Sequence, residues 1–102
     1  MTRSLQTFRM QWRGIVVEIQ YEADWLGTLR APRVGHLSIT AISPECAALP
    51  ITETGYRSHF IDPAAVEEAG GPVAYVTAWL DRAAQGAAWK AHEDAARQMS
   101  LF

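Results

Sequence analysis

The sequence predicts an α+β domain: a three- or four-stranded antiparallel sheet followed by two or three helices packed on one of its faces. Apolar residues alternate with period two from Leu5 to Glu22 and again from His36, the signature of half-buried strands. After Asp62 they recur with helical spacing instead. The joints between the alternating stretches are short, which makes neighbouring strands antiparallel. Strands first and helices second argue for α+β over an alternating α/β order.

In Leu5–Trp12 the side chains of Phe8, Met10 and Trp12 fall on one side, and those of Thr7, Arg9 and Gln11 on the other. Arg13-Gly14 is a turn signal, because glycine accepts positive φ without steric cost. Ile15–Glu22 alternates again, with Ile15, Val17, Ile19 and Tyr21 on one face, and completes a β-hairpin. The stretch 23–35 is broken by Gly27, Pro32 and Gly35. Arg30 and Arg33 flank Pro32 there, in either a solvated loop or a contact for an anionic group. His36–Ile42 reads as a third strand, and Ser43-Pro44-Glu45 as a turn with proline at its second position. Ala47–Phe60 reads as a fourth strand, interrupted near Gly55 by a bulge or a second turn.

Asp62 is placed to cap a helix, with Pro63 at its first position and Gly70 at its end. Gly71-Pro72 opens the next helix, where Val73, Val76, Leu80 and Ala83 share a face with Trp79 beside them. A third helix begins at Ala87, after Gly86, and carries Trp89, His92, Ala96 and Met99 along one stripe. That spacing reads His92 as a core histidine. Lys90 reaches Asp94 at i+4, a contribution of about 0.2–0.5 kcal/mol. Trp12, Trp25, Trp79 and Trp89 are large enough to anchor the core.

A chain of 102 residues makes one domain, 1–102. A net charge of −2, with nine Lys and Arg spread along the chain, promises no concentrated basic face, so direct sequence-specific binding of nucleic acid is not expected. One cysteine, Cys46, excludes an internal disulfide and a zinc site built on cysteine pairs. Its sequence neighbours supply no basic group to lower its pKa, and it reads as a small buried thiol. His36, His59 and His92 show no local ligand spacing, so neither metal nor cofactor is expected. No apolar run approaches a membrane span or a signal-peptide core, and a soluble, cytoplasmic protein is the expectation.

Groups able to do chemistry concentrate in Leu49–Asp62. Along a strand Tyr56 and Ser58 point one way and Arg57 and His59 the other, so Ser58 and His59 cannot face each other as nucleophile and base. Arg57 and His59 project together and suit a phosphate or carboxylate, with Glu53 able to join across a bulge at Gly55. The other reading is an Arg–Glu pair on a sheet edge beside a partly exposed histidine. An enzyme or small-ligand site built from Glu53, Tyr56, Arg57, Ser58 and His59 requires those groups to converge in one pocket. An exposed sheet face or apolar helix stripe at a two-fold would instead make a homo-oligomeric module.

The last five residues, Gln98-Met99-Ser100-Leu101-Phe102, resemble the pentapeptide by which bacterial polymerases and repair proteins bind the β sliding clamp. Met99 stands where that motif has leucine, a volume-conserving exchange. The resemblance implies that Gln98 bonds at a pocket rim, Met99 fills a small subsite, and Leu101 with Phe102 fill the deep apolar one. Residues 98–102 would then be a docking tail on a small non-enzymatic binding protein of replication, repair or mobile-element maintenance. In the alternative, Leu101 and Phe102 fold back on the core. The run Thr52–Phe60, with the later Gly-Gly-Pro and Ala-Trp-Leu-Asp, also looks like small proteins of proteobacterial genomes and plasmids. That likeness implies no activity.

Overall fold

A computed structural model describes residues 5–23 and 34–99, with residues 96–99 described by backbone alone. Trp25, Arg30, Pro32, Arg33, Ser100, Leu101 and Phe102 lie outside the described residues, as do the side chains of Ala96, Gln98 and Met99. Four strands pair antiparallel in chain order: β1 (Leu5–Trp12), β2 (Ile15–Glu22), β3 (Gly35–Ser43) and β4 (Tyr56–Ile61). Three helices follow: α1 (Pro63–Ala69), α2 (Pro72–Ala83) and α3 (Ala87–Met99). The α+β reading holds, at the upper end of both expected counts.

The hairpin is tight. Trp12 opposes Ile15 across a two-residue turn in which Arg13 (φ 48°) and Gly14 (φ 83°) are both left-handed. This turn matches the right-handed twist of the strands. Glycine adopts it freely, whereas at Arg13 it costs roughly 1–2 kcal/mol. Two contacts of the Arg13 guanidinium act against that cost. It lies 4.8 Å from the centre of the Trp12 ring and pairs with Glu93 of α3 at 2.8 Å.

Alternation decides which face is buried. Val17, Ile19 and Tyr21 of β2 and Leu37, Ile39 and Ala41 of β3 point to the helices and are buried with Trp12, Val66, Val76 and Leu80. Fully burying a side chain of the Val, Ile or Leu kind stabilises by about 1.5–3 kcal/mol. Trp12 also donates Nε1–H to Asp81 Oδ1 at 2.9 Å, which ties β1 to α2. The start of α1 is built as its sequence implies. Asp62 Oδ1 accepts from Ala64 N–H at 2.9 Å, Pro63 takes the first helical position, and Gly70 closes the helix left-handed. Pro72 then opens α2 immediately.

The β3–β4 connection departs from expectation. The expected fourth strand from Ala47 to Phe60 does not form as such: only Tyr56–Ile61 pairs with β3, and the chain before it is a folded loop. Pro44, Glu45 and Cys46 turn, and the chain then doubles back through reciprocal Leu49 and Thr52 backbone bonds of 2.8 and 3.0 Å. Gly55 (φ 80°) releases it into β4, and its carbonyl accepts from Ala41 N–H at 2.7 Å. Ala47, Leu49 and Ile51 pack on the core from this loop, so their period of two was real but did not belong to a ladder. Cys46 is exposed and left-handed (φ 59°), not a buried thiol, because it sits at the corner of the turn. No helix among the described residues is long and apolar enough to cross a membrane.

Candidate functional site

β4 is an edge strand, and its alternation deals the candidate residues to two sides. Arg57 and His59 pair across from Ile39 and Leu37, on the helix-covered face. Tyr56 and Ser58 pair across from Thr40 and Ser38, on the open face. Glu53 joins neither group. It lines a separate cleft of about 190 Å³ with Leu49, Pro50, Ala83, Trp89 and His92, at the corner between α2 and α3. The five residues therefore do not converge in one pocket.

Arg57 and His59 are brought together on a third residue. Trp79 of α2 lies with its ring 4.6 Å from the His59 ring, and the Arg57 guanidinium carbon stands 5.5 Å from its centre. Tyr75, one turn earlier, meets Trp79 edge-on at 6.1 Å. Arg57 also donates from one terminal nitrogen to the Ile51 carbonyl at 3.0 Å. Ring and carbonyl together fix the guanidinium. No carboxylate among the described residues pairs with Arg57, and no described group hydrogen-bonds the His59 ring. Burial first, and then the neighbouring positive charge of Arg57 and His36, lower the His59 pKa below its ordinary 6.5. His59 is thus held toward its neutral form, and the fixed positive charge of the pair is that of Arg57.

The open face is polar at its centre and apolar at its rims. Leu5, Glu22, His36 and Phe60 form one cross-strand row; Arg9, Glu18, Thr40 and Tyr56 form another. Leu5 (56%), Tyr56 (51%) and Phe60 (53%) are the large exposed apolar residues among those described, and all three lie on this face. His36 Nε2 and Ser58 Oγ share a hydrogen bond of 2.6 Å, and the His36 ring lies 5.0 Å from that of Phe60. A serine bonded to a histidine suggests a nucleophile and its base. Backbone N–H groups of a flat strand lie in the plane of the sheet, however, so none is aimed at an oxyanion that would develop above it.

His92 is exposed, not a core histidine. Its ring stacks on Trp89 at 4.7 Å and 27°, and among the described side chains of α3 Trp89 and Glu93 are the part-buried ones. Among the described residues no three of His, Cys, Asp and Glu gather as a metal site.

A family model described as the KlcB third domain matches residues 5–89. This chain belongs to that family. No curated protein and no solved structure matches it. The KlcB third-domain span takes in the whole sheet, α1, α2 and the first residues of α3, and so includes Arg57, His59, Trp79 and Tyr75. Gln98, Met99, Ser100, Leu101 and Phe102 follow it.

Sequence reasoning paired Arg57 with His59 but missed their platform. Tyr75 and Trp79 are four residues apart, each one position before a core residue, Val76 and Leu80. That second stripe, flanking the buried one, was the readable signal. The His36–Ser58 bond carried no local signal, since it joins two strands.

Proposed function

We propose that this chain is a non-catalytic binding protein that docks on the bacterial sliding clamp through Gln98, Met99, Ser100, Leu101 and Phe102, in the maintenance of a plasmid or other mobile element. The observation that carries this reading is the setting of α3. Among its described side chains only Trp89 and Glu93 are part-buried, and Lys90, Ala91, His92, Asp94 and Ala95 are exposed. After Glu93 the described side chains of the helix are exposed, and the pentapeptide follows in the sequence beyond the family-matched span. A short segment with aromatic and aliphatic anchors suits a partner's apolar groove. The spread of the polar cluster over two faces of the sheet supports binding over catalysis.

Fluorescence polarisation tests the proposal. A labelled peptide of the last ten residues should bind purified sliding clamp with a Kd of about 1 μM, near −8 kcal/mol. The full chain should compete for it, and the double variant Leu101→Ala, Phe102→Ala should not. No binding by either peptide or full chain ends the idea.

The exposed Leu5, Tyr56 and Phe60 on one sheet face favour a second reading, a homo-oligomeric module that closes this face against another copy. Light scattering after gel filtration decides it. A monomer at about 100 μM excludes a dimer of the stability expected for an obligate interface.

A further inference from the structure

We infer that Arg57, His59 and Trp79 form a receptor for a single carboxylate, presented by an acidic side chain of a polypeptide partner. The inference stands apart from clamp docking, which uses a different part of the chain.

The geometry is that of a held cation with donors to spare. Guanidinium carries five N–H donors, and Ile51 takes one. Trp79 supports the group, and the His59 ring packs against the same indole. A cation fixed before its ligand arrives loses less side-chain freedom on binding than a lysine or a free arginine. His59 adds an N–H at the next position on the same face of the strand. Guanidinium fork and imidazole together match the two oxygens of one carboxylate.

Charge selects the ligand. With His59 neutral the site carries one positive charge, which a monoanion balances. A nucleic acid presents a phosphate at each step and is bound by many cations at once. This chain has a net charge of −2, with its nine Lys and Arg spread along the sequence. The edge position is also suited to a polypeptide. Among the described residues β4 has a strand, β3, on one side only, so a segment can approach along its other flank.

Binding must act on His59. On its own face it meets Arg57 of its own strand and Trp79 of α2, with Tyr75 behind that indole, while His36 of β3 acts on it through the sheet from the opposite face. Arg57 and His36 disfavour its protonation, and a carboxylate seated against Arg57 reverses the larger of these two influences. The ligand therefore raises the His59 midpoint.

The experiment follows the Cε1–H resonances of His59 and His92 by NMR in the full chain. Each is titrated with pH at constant ionic strength, in chloride, in N-acetyl-glutamate amide, and in inorganic phosphate. The carboxylate should raise the His59 midpoint by about one unit, as an opposite charge at hydrogen-bonding range does. His92, exposed on α3, should not move. Arg57→Gln should raise the His59 midpoint in chloride and abolish the response to carboxylate; Arg57→Lys should keep part of it. Equal movement of His59 and His92, or an undiminished response in Arg57→Gln, overturns the site. A response to phosphate with none to the carboxylate overturns the assignment of the ligand.

Discussion

Replacing Gly55 with alanine tests how the β3–β4 loop is held. A Cβ at this position would lie 2.8 Å from the Cys46 Cα and carbonyl carbon and 3.0 Å from the Ala47 carbonyl oxygen, all of them backbone atoms. Rotating a side chain cannot relieve such contacts. The residue is also left-handed at φ 80°. The backbone conformation alone costs a non-glycine residue roughly 1–2 kcal/mol. Forcing a methyl group into an occupied site adds about 1–3 kcal/mol. Gly55→Ala should therefore destabilise by about 2–5 kcal/mol, set against a total of about 5–15 kcal/mol for a domain. Gly14 supplies the control. It has nearly the same φ, 83°, but nothing within 4 Å of its absent Cβ. Gly14→Ala should show the conformational part only, about 1–2 kcal/mol. Urea unfolding of both variants, followed by tryptophan fluorescence, gives the two losses on one scale. Equal losses would refute the claim that the Cys46 backbone closes on Gly55.

The indoles of Trp12 and Trp89 should separate in the same assay: Trp12→Phe loses the bond to Asp81 and should cost about 1 kcal/mol more than Trp89→Phe, whose buried Nε1 has no partner among the described residues. His59, with its pKa lowered by burial and by Arg57, contributes stability that is complete above pH 6.5 and is lost as pH falls through its folded value. His59→Gln should flatten that acid limb of the stability curve. Tyr21 behaves oppositely. Burial, with Glu67 and Asp62 nearby, raises its pKa above 10.0, so its contribution is complete below pH 10.0 and lost as pH rises through the folded value. The stability difference between wild type and Tyr21→Phe should accordingly shrink in alkali, measured by urea unfolding from about pH 9 to about 11.5.

The elements that depend on near neighbours were legible in the chain. Leu5–Trp12 and Ile15–Glu22 announce themselves by alternation around Arg13-Gly14, and their bounds match the strands observed. Asp62-Pro63 and Gly70-Gly71-Pro72 mark helix ends through chemistry confined to a few residues. The loop before Tyr56 was not legible as a loop. Leu49 and Ile51 are apolar because the core needs them, and a period of two records burial without recording which partner carries the hydrogen bonds. The candidate site was half readable for a related reason. Alternation alone places Arg57 beside His59 and separates both from Ser58. That Trp79 supports them, and that Glu53 turns instead toward Trp89 and His92, depends on how α2 and the loop dock on the sheet. Nothing in the local sequence reports that docking.

The strand order repeats the chain order, and this matters while the protein is being made. Each strand leaving the ribosome finds its neighbour already waiting, so the meander can assemble as a nascent chain without a crossover connection to close. Its inner surface is another matter. Val17, Ile19, Leu37 and Ile39 are covered only when the stretch from Asp62 to Ala83 has followed, roughly 1–4 s later at ordinary rates of translation. During that interval the half-made molecule is a sticky sheet, and a chaperone that shields it is most needed between the fourth strand and the second helix.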